Sequence, residues 1–399
     1  MTEPPRVEDA HVGLYVHWPF CARICPYCDF NVVRDRRRGE AQSALFRAIL
    51  ADLTAQAERL GPRRLVSIFL GGGTPSLMDP DWAGEIVGAA RRLFRGAPDL
   101  EVTLEANPTD AEAGRFAAFA DAGVTRLSLG VQSLDDDALA FLGRNHDAAA
   151  ARRAAAVAAS AFPRLSIDLI YALPGQTATD WRAALGEALT LEPEHVSAYQ
   201  LTLEPGTAFD RAVRRGRWAP PQDDAAGDLY ETTQAVLGAA GFDAYEVSNH
   251  ARGAAARSRH NLIYWRGGDY LGVGPGAHGR ITSPDGSRWS TLTPARIADY
   301  VARVEFAGCG VAERERLTPI EAAQERLLMG LRTDEGVALD DLAALQLDPA
   351  MIARLRSAGM LETVSNRLIA TRGGRAVLDR IALELAQSAL DLAPDVASG

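Results

Sequence analysis

Six short apolar runs recur along the first half of the chain, at Gly13–His17, Val66–Leu70, Glu101–Glu105, Arg126–Gly130, Leu165–Ile170 and His195–Gln200. They are rich in Val, Ile and Leu and read as buried parallel strands. Amphipathic segments of helical length separate them, at Glu40–Leu60, Trp82–Phe94, Ala111–Ala122, Ala148–Ala159 and Trp181–Leu191. Parallel neighbours need a crossover long enough to hold a helix. Six β–α units in succession therefore predict an α/β fold built on a parallel barrel or part of one, with chemistry at the C-terminal ends of its strands.

After Gln200 the alternation stops. Pro205, Pro220 and Pro221 punctuate a loop-rich stretch, and a helix is expected at Asp223–Ala240. Gly267–Gly279 holds six glycines and one proline and is expected to be irregular. A boundary falls near Glu313–Thr318. Beyond it come helical patterns at Pro319–Leu331, Leu339–Leu345 and Pro349–Ala358, strand-like segments at Met360–Thr363 and Arg367–Thr371, and a last helix from Gly374. Helices followed by a small hairpin predict a winged-helix-like domain. It carries no basic stripe, which suits packing or docking better than DNA binding. The expected division is 1–205 for the barrel, 206–312 for a flanking region and 313–399 for the C-terminal domain. Pro394–Gly399 are expected to be loose.

Just past the first strand, three cysteines stand within eight residues, in Cys21-Ala-Arg-Ile-Cys25-Pro-Tyr-Cys28. Three thiolates can each bind one iron of a 4Fe–4S cubane, which leaves the fourth iron without a protein ligand. A small chelate can take that corner, and S-adenosylmethionine (SAM) is the usual one, through its amino and carboxylate groups. A closed zinc site wants four ligands, commonly in two separated pairs. The remaining cysteine, Cys309, is distant and reads as a buried thiol. A disulfide framework wants an even count in an oxidising compartment.

Composition narrows the setting. The formal net charge of −10 argues against a partner held by phosphate contacts, so no nucleic acid is expected. All 42 basic side chains are arginine, which excludes a Schiff base or a lysine general base. The polar, acidic start from Met1 to Ala10 has no apolar core for a signal peptide, and no apolar stretch is long enough to span a bilayer. An oxygen-labile cluster and four cysteines without a disulfide pattern suit a reducing cytoplasm.

Further candidates follow the strand ends. Gly71-Gly-Gly-Thr74 follows the second strand and would let backbone N–H groups approach a ligand carboxylate, or form a plain tight turn. Glu105, in Glu105-Ala-Asn-Pro108, offers a carboxylate to a ligand ammonium. Gln132 and Ser133 supply amide and hydroxyl partners, Arg144 can pair with a carboxylate, and Asp168 can accept from ribose hydroxyls. His260-Asn-Leu-Ile-Tyr-Trp265 combines an imidazole, a common heme ligand, with aromatic rings, although on residue type alone it reads better as a hydrogen-bonded histidine in an aromatic core. His250 and His278 are secondary ligand candidates, and His17 reads as a local structural partner.

Together these pieces resemble the radical SAM superfamily, and in particular its branch of oxygen-independent coproporphyrinogen III dehydrogenases and HemW heme chaperones. The resemblance runs from about Tyr15 to the C-terminal domain. It implies a partial (β/α)6 barrel with a C-terminal helical, winged-helix-like domain. It implies cluster ligation by Cys21, Cys25 and Cys28, and SAM contacts from Tyr15, Tyr27, Gly72, Gly73, Thr74, Glu105, Gln132, Arg144 and Asp168. An electron delivered to the cluster would split SAM into methionine and a 5′-deoxyadenosyl radical.

Two features separate the branches. The dehydrogenases usually carry another cysteine two residues after the third, where this chain has Phe30, and a longer arm before the motif, where this chain has twenty residues before Cys21. The H-N-x-x-Y-W element is associated with the chaperones. Two departures stand beside it: Val32-Val33 follows Asn31 where Ser-His is frequent, and Thr109 follows Pro108 where glycine is usual. The resemblance thus implies a chaperone that binds heme at a site including His260. It would pass heme to an acceptor hemoprotein, a membrane-associated respiratory enzyme among the candidates, with a flavodoxin-like protein or another donor as electron source. The alternative it implies is radical oxidative decarboxylation of two propionates of coproporphyrinogen III.

Overall fold

A computed structural model of the protein describes residues 10–36 and 39–391. Its main sheet has twelve strands: β1 (His11–Trp18), β2 (Arg64–Gly72), β3 (Arg95–Ala106), β4 (Arg126–Gln132), β5 (Arg164–Tyr171), β6 (His195–Gln200), β7 (Asp243–Ala244), β8 (Asn249–Ala251), β9 (Asp269–Val273), β10 (His278–Thr282), β11 (Arg288–Leu292) and β12 (Glu313–Arg316). Their spatial order is β12-β11-β10-β9-β1-β2-β3-β4-β5-β6-β8-β7. β1 to β6 are consecutive, parallel neighbours, the six expected units of a partial barrel. β9 adds a parallel strand beyond β1, and the antiparallel meander β10–β12 extends that edge.

Side chains along a strand alternate between its faces, and the barrel exploits that period. Leu14, Val16, Leu127, Leu129, Ile167 and Leu169 are buried in the main core together with Leu45, Ile49, Ile86 and Leu185 of the crossover helices. Each such aliphatic side chain contributes about 1.5–3 kcal/mol through burial. The intervening residues are polar and equally buried: Ser67, Thr103, Arg126, Ser128, Ser166 and Ser197. The helix side of the strands is therefore apolar, and their other face lines a largely polar interior to which Phe69 and Ile170 add apolar side chains.

The structure corrects three details. Gly267–Gly279 is not irregular throughout, because it contains β9 and the entry to β10. Its glycines serve close approach: a Cβ on Gly272 would lie 2.0 Å from the His278 carbonyl oxygen, and one on Gly274 2.3 Å from that of His17. The helix expected at Ala111–Ala122 is two pieces, Asp110–Ala113 and Phe116–Asp121, broken at Gly114 where the Arg115 guanidinium turns to the carbonyls of Ser76 and Met78. The last helix likewise begins as a short turn, Arg372–Arg375, before Leu378–Asp391.

A second core, with Leu327, Leu331, Val337, Leu342, Leu361 and Leu368, sits among the helices Pro319–Gly330 and Pro349–Ser357 and a small three-stranded sheet. Thr318 and Glu321 form a capping box that starts the first of these helices ahead of Pro319. The unit is fastened to the barrel by the Val247 N–H, which donates to the Arg332 carbonyl at 3.1 Å, and by an Arg332–Glu246 ion pair at 2.6 Å whose carboxylate is fully buried. No helix among the described residues is long and apolar enough to cross a membrane.

Candidate cluster and cofactor site

The cysteine loop leaves the C-terminal end of β1. Phe20–Cys21 pairs in parallel with Val33–Arg34, which closes the loop carrying Cys25 and Cys28. Within it the Cys28 N–H donates to the Cys25 carbonyl at 3.2 Å. All three thiols are free, Cys21 buried and the other two half-buried. Burial pushes the Cys21 thiol up to about 11 and raises that of Cys28, so loading with iron must release protons. No three His, Cys, Asp or Glu side chains among the described residues converge as ligands of a single ion. Thiols spaced around a loop suit a cubane, where each sulfur binds a different iron.

Two neighbours brace the loop. Arg144 donates to the Cys25 sulfur and to the Tyr27 hydroxyl, each at 3.3 Å, to the Gly130 carbonyl at 3.0 Å, and to Asn107 Oδ1. Its guanidinium thus ties the cysteine loop to Gly130 of β4 and to Asn107 just past β3. The Gly71–Thr74 turn is engaged as well. Gly73 N–H donates to the Trp18 carbonyl and Thr74 N–H to that of Phe20, both at 2.8 Å, and the Thr74 hydroxyl lies 3.6 Å from the Cys21 sulfur. A Cβ on Gly73 would come within 2.7 Å of Pro19 backbone, so the glycine is required for this contact. The turn holds the cysteine strand, and these backbone donors are not open to a ligand.

The polar interior lies beneath. Register places Glu105 beside Ser128, Ser128 beside Ser166, and Asp168 beside Ser197. Glu105 accepts one hydrogen bond, from Gly72 N–H at 3.1 Å. Burial, reinforced by the negative charge of Asp168, lifts its carboxyl from 4.5 to about 7. Burial also raises Asp168, although Ser128 donates to it at 2.7 Å and Ser166 at 3.3 Å. Gln132 stands at the end of β4 with φ +64°, where the pairing register shifts. The Tyr15 hydroxyl meets His17 Nδ1 at 2.9 Å, and His17 Nε2 meets the Asn31 carbonyl at 2.8 Å.

His260 begins the helix Arg259–Trp265, which leans against β1 and β2. The buried Glu101 carboxylate accepts from its backbone N–H at 3.0 Å and from that of Arg259 at 3.2 Å, a favourable charge at a helix start. Both ring nitrogens are engaged: Nδ1 with the Ser67 hydroxyl at 2.8 Å and Nε2 with the Tyr264 hydroxyl at 2.6 Å. Burial lowers its pKa to about 3, so the ring is neutral.

The residues expected to hold the cluster and SAM, together with His260, line one cleft of about 1180 Å³, whereas Ser133 and His17 do not. Sequence reading passed over Asn107, Arg126, Ser128, Ser197 and Tyr199, which line it too, and Arg332 and Arg375, brought in by the C-terminal unit. The signal for the strand residues was the polar letter at every second position of Leu-Ser-Leu-Gly-Val-Gln and Leu-Ser-Ile-Asp-Leu. No local pattern announces the two arginines.

Comparison with known proteins assigns the family. Residues 15–188 match the radical SAM superfamily profile, and residues 317–377 match the HemN C-terminal domain. A heme chaperone HemW of Mycobacterium tuberculosis is 38% identical over 371 residues, covering 92% of this chain and 93% of that one. The chain belongs to the radical SAM superfamily, in its HemW branch. Another relative, the mitochondrial radical S-adenosyl methionine domain-containing protein 1 of Bos taurus, is 40% identical over 96% of this chain and 89% of its own. The solved structure of Escherichia coli coproporphyrinogen III oxidase, HemN, described as a radical SAM enzyme, superposes with a TM-score of 0.78 at 20% identity, over 95% of this chain and 91% of that one. That likeness concerns the fold. Membership of the superfamily carries with it a 4Fe–4S cluster and SAM as the characteristic cofactors.

Proposed function

We propose that this HemW-branch protein is a cytoplasmic heme chaperone, which carries heme and passes it to an acceptor hemoprotein such as a respiratory enzyme. What carries the reading is the near full-length similarity to HemW, joined to a three-thiol loop that opens on a large cleft. Cys21, Cys25 and Cys28 would hold the cluster, which when bound supplies an open coordination corner and, with an electron donor, reducing power.

The chain's own residues divide the remaining work. Arg144 and Thr74 direct donors at the Cys25 and Cys21 sulfurs and so position these two ligands. Glu105, buried with a single donor, is suited to a ligand ammonium, and Asp168, fixed by two serines, to ribose hydroxyls. Tyr15 and Tyr27 add aromatic rings to the lining of the cleft that the three cysteines share. Tyr264 and Trp265 of the His260-Asn-Leu-Ile-Tyr-Trp265 element supply aromatic walls for a flat macrocycle.

The test uses anaerobically reconstituted protein. Heme uptake followed by transfer to an apo-hemoprotein is expected, without turnover of coproporphyrinogen III. Catalytic formation of protoporphyrinogen, or an inability to take up heme, would overturn the assignment.

A further inference from the structure

Iron in a heme protein is commonly held by a neutral imidazole. The chain has seven histidines, and six are engaged or misplaced for that role. The rings of His260, His17 and His195 are each bonded through both nitrogens, the last to Ser166 and Tyr245. His146 is bonded to the Val131 carbonyl and lines neither of the two large clefts. His250 is 1% exposed, faces the backbone of Ser248 and Val196, and lines neither cleft. His11 starts β1, at the opposite end from the cysteine loop.

His278 differs from all of them. It is exposed, and its ring makes no hydrogen bond among the described residues. It opens β10, and strand alternation puts His278 and Arg280 on one face. Tyr270 of β9 pairs with Arg280, and Arg288 of β11 with Thr282. This face forms one wall of a second cleft of about 750 Å³, within the usual size range of sites for small molecules and cofactors. Tyr264 and Trp265 line the same cleft, with the Tyr264 ring packed edge-on against that of Tyr270 at 4.5 Å between ring centres. Four arginines line the cleft against two carboxylates, Glu105 and Glu325. Arg280 is held by Glu325 through several short bonds, whereas Arg288 reaches Asp269 only at 3.6 Å and makes long bonds to Thr282 and Gly268. Arg288 therefore retains capacity for an incoming carboxylate. Tyr15, Phe30, Gly72, Glu105, Tyr264 and Arg332 line both clefts, so the second adjoins the first.

We propose that heme occupies this second cleft, with His278 as the protein ligand to iron and Arg288 facing a propionate. His260 is then a positioning residue, which orients the Tyr264 wall through its Nε2 bond. The assignment rests on the reading of the chain as a heme chaperone and deepens it by naming the ligand.

The experiment is a titration of ferric heme into the cluster-loaded full chain, followed by the Soret difference spectrum. Wild type is expected to saturate with a nitrogen-ligated spectrum. His278→Ala should lose that spectrum and bind at least tenfold more weakly, and added imidazole should restore the band in His278→Gly. His11→Ala, at the far end of β1, serves as the control and should match wild type. Heme dimethyl ester should bind wild type at least tenfold more weakly than heme, and Arg288→Gln should shrink that gap. Wild-type uptake with an unchanged spectrum in His278→Ala overturns the ligand assignment while leaving the chaperone reading intact. Absence of uptake by wild type overturns the chaperone reading itself. Equal affinity for heme and its ester overturns the role of Arg288.

Discussion

Replacing Glu105 with glutamine should make the empty protein more stable and its hold on SAM weaker. The carboxyl is buried with one donor and lies near Asp168, which lifts it from 4.5 to about 7. A raised folded-state pKa means that ionisation opposes folding. The penalty is absent below about pH 4.5, grows as pH rises, and is complete above about pH 7. The shift corresponds to about 3 kcal/mol. Glutamine has nearly the same shape and keeps a carbonyl for the Gly72 N–H, but it never ionises. Ligand-free Glu105→Gln should therefore match wild type at pH 5 more closely than at pH 8, where it should exceed it by up to about 3 kcal/mol. A charge-assisted hydrogen bond to an ammonium is worth about 1.5–3 kcal/mol, so SAM affinity should fall roughly 10- to 100-fold. Denaturant melts at the two pH values and calorimetric titration of the cluster-loaded protein measure both effects. Equal stabilisation at pH 5 and pH 8 would refute the buried-charge argument, and unchanged affinity would refute the ammonium contact.

Cys25→Ser should leave the barrel folded by far-ultraviolet circular dichroism yet abolish the visible absorption of a 4Fe–4S cluster, with iron assay as the check. Arg144→Met removes the donors to Cys25, Tyr27 and Gly130 and strands buried acceptors, which should cost about 2–4 kcal/mol in a denaturant melt and speed cluster loss in air. Gly73→Ala forces a methyl group against Pro19 backbone and should cost about 1–3 kcal/mol, with lower iron content after reconstitution than wild type. Arg332→Ala leaves Glu246 buried without its cation and should cost about 3–5 kcal/mol, visible as faster proteolysis between the barrel and the C-terminal unit.

Much of this architecture is legible because its causes are local. The six apolar runs became β1 to β6 because a strand hidden under helices must carry Val, Ile and Leu on that side, and the intervening amphipathic segments supply the covering helices. The cysteine spacing alone identifies a loop that can bind three irons. Glycines 72 and 73 were visible as a turn, but not as the brace of the cysteine strand, since that depends on Trp18 and Phe20 offering carbonyls from a neighbouring strand. Gly267–Gly279 looked irregular because composition cannot distinguish glycine chosen for flexibility from glycine chosen for contact. Only the packed sheet shows the His278 and His17 carbonyls standing where a Cβ would be.

By itself, then, the sequence determined the strand–helix alternation, the thiol triad and the family. Tertiary structure alone decided which imidazoles are engaged. His260 and His278 look alike as letters, but one is locked between Ser67 and Tyr264 while the other faces an open cleft. The reason is that the state of the His260 ring depends on Ser67 as well as on its helix neighbour Tyr264, and Ser67 lies 193 residues away in the chain, brought there by packing that no local pattern encodes.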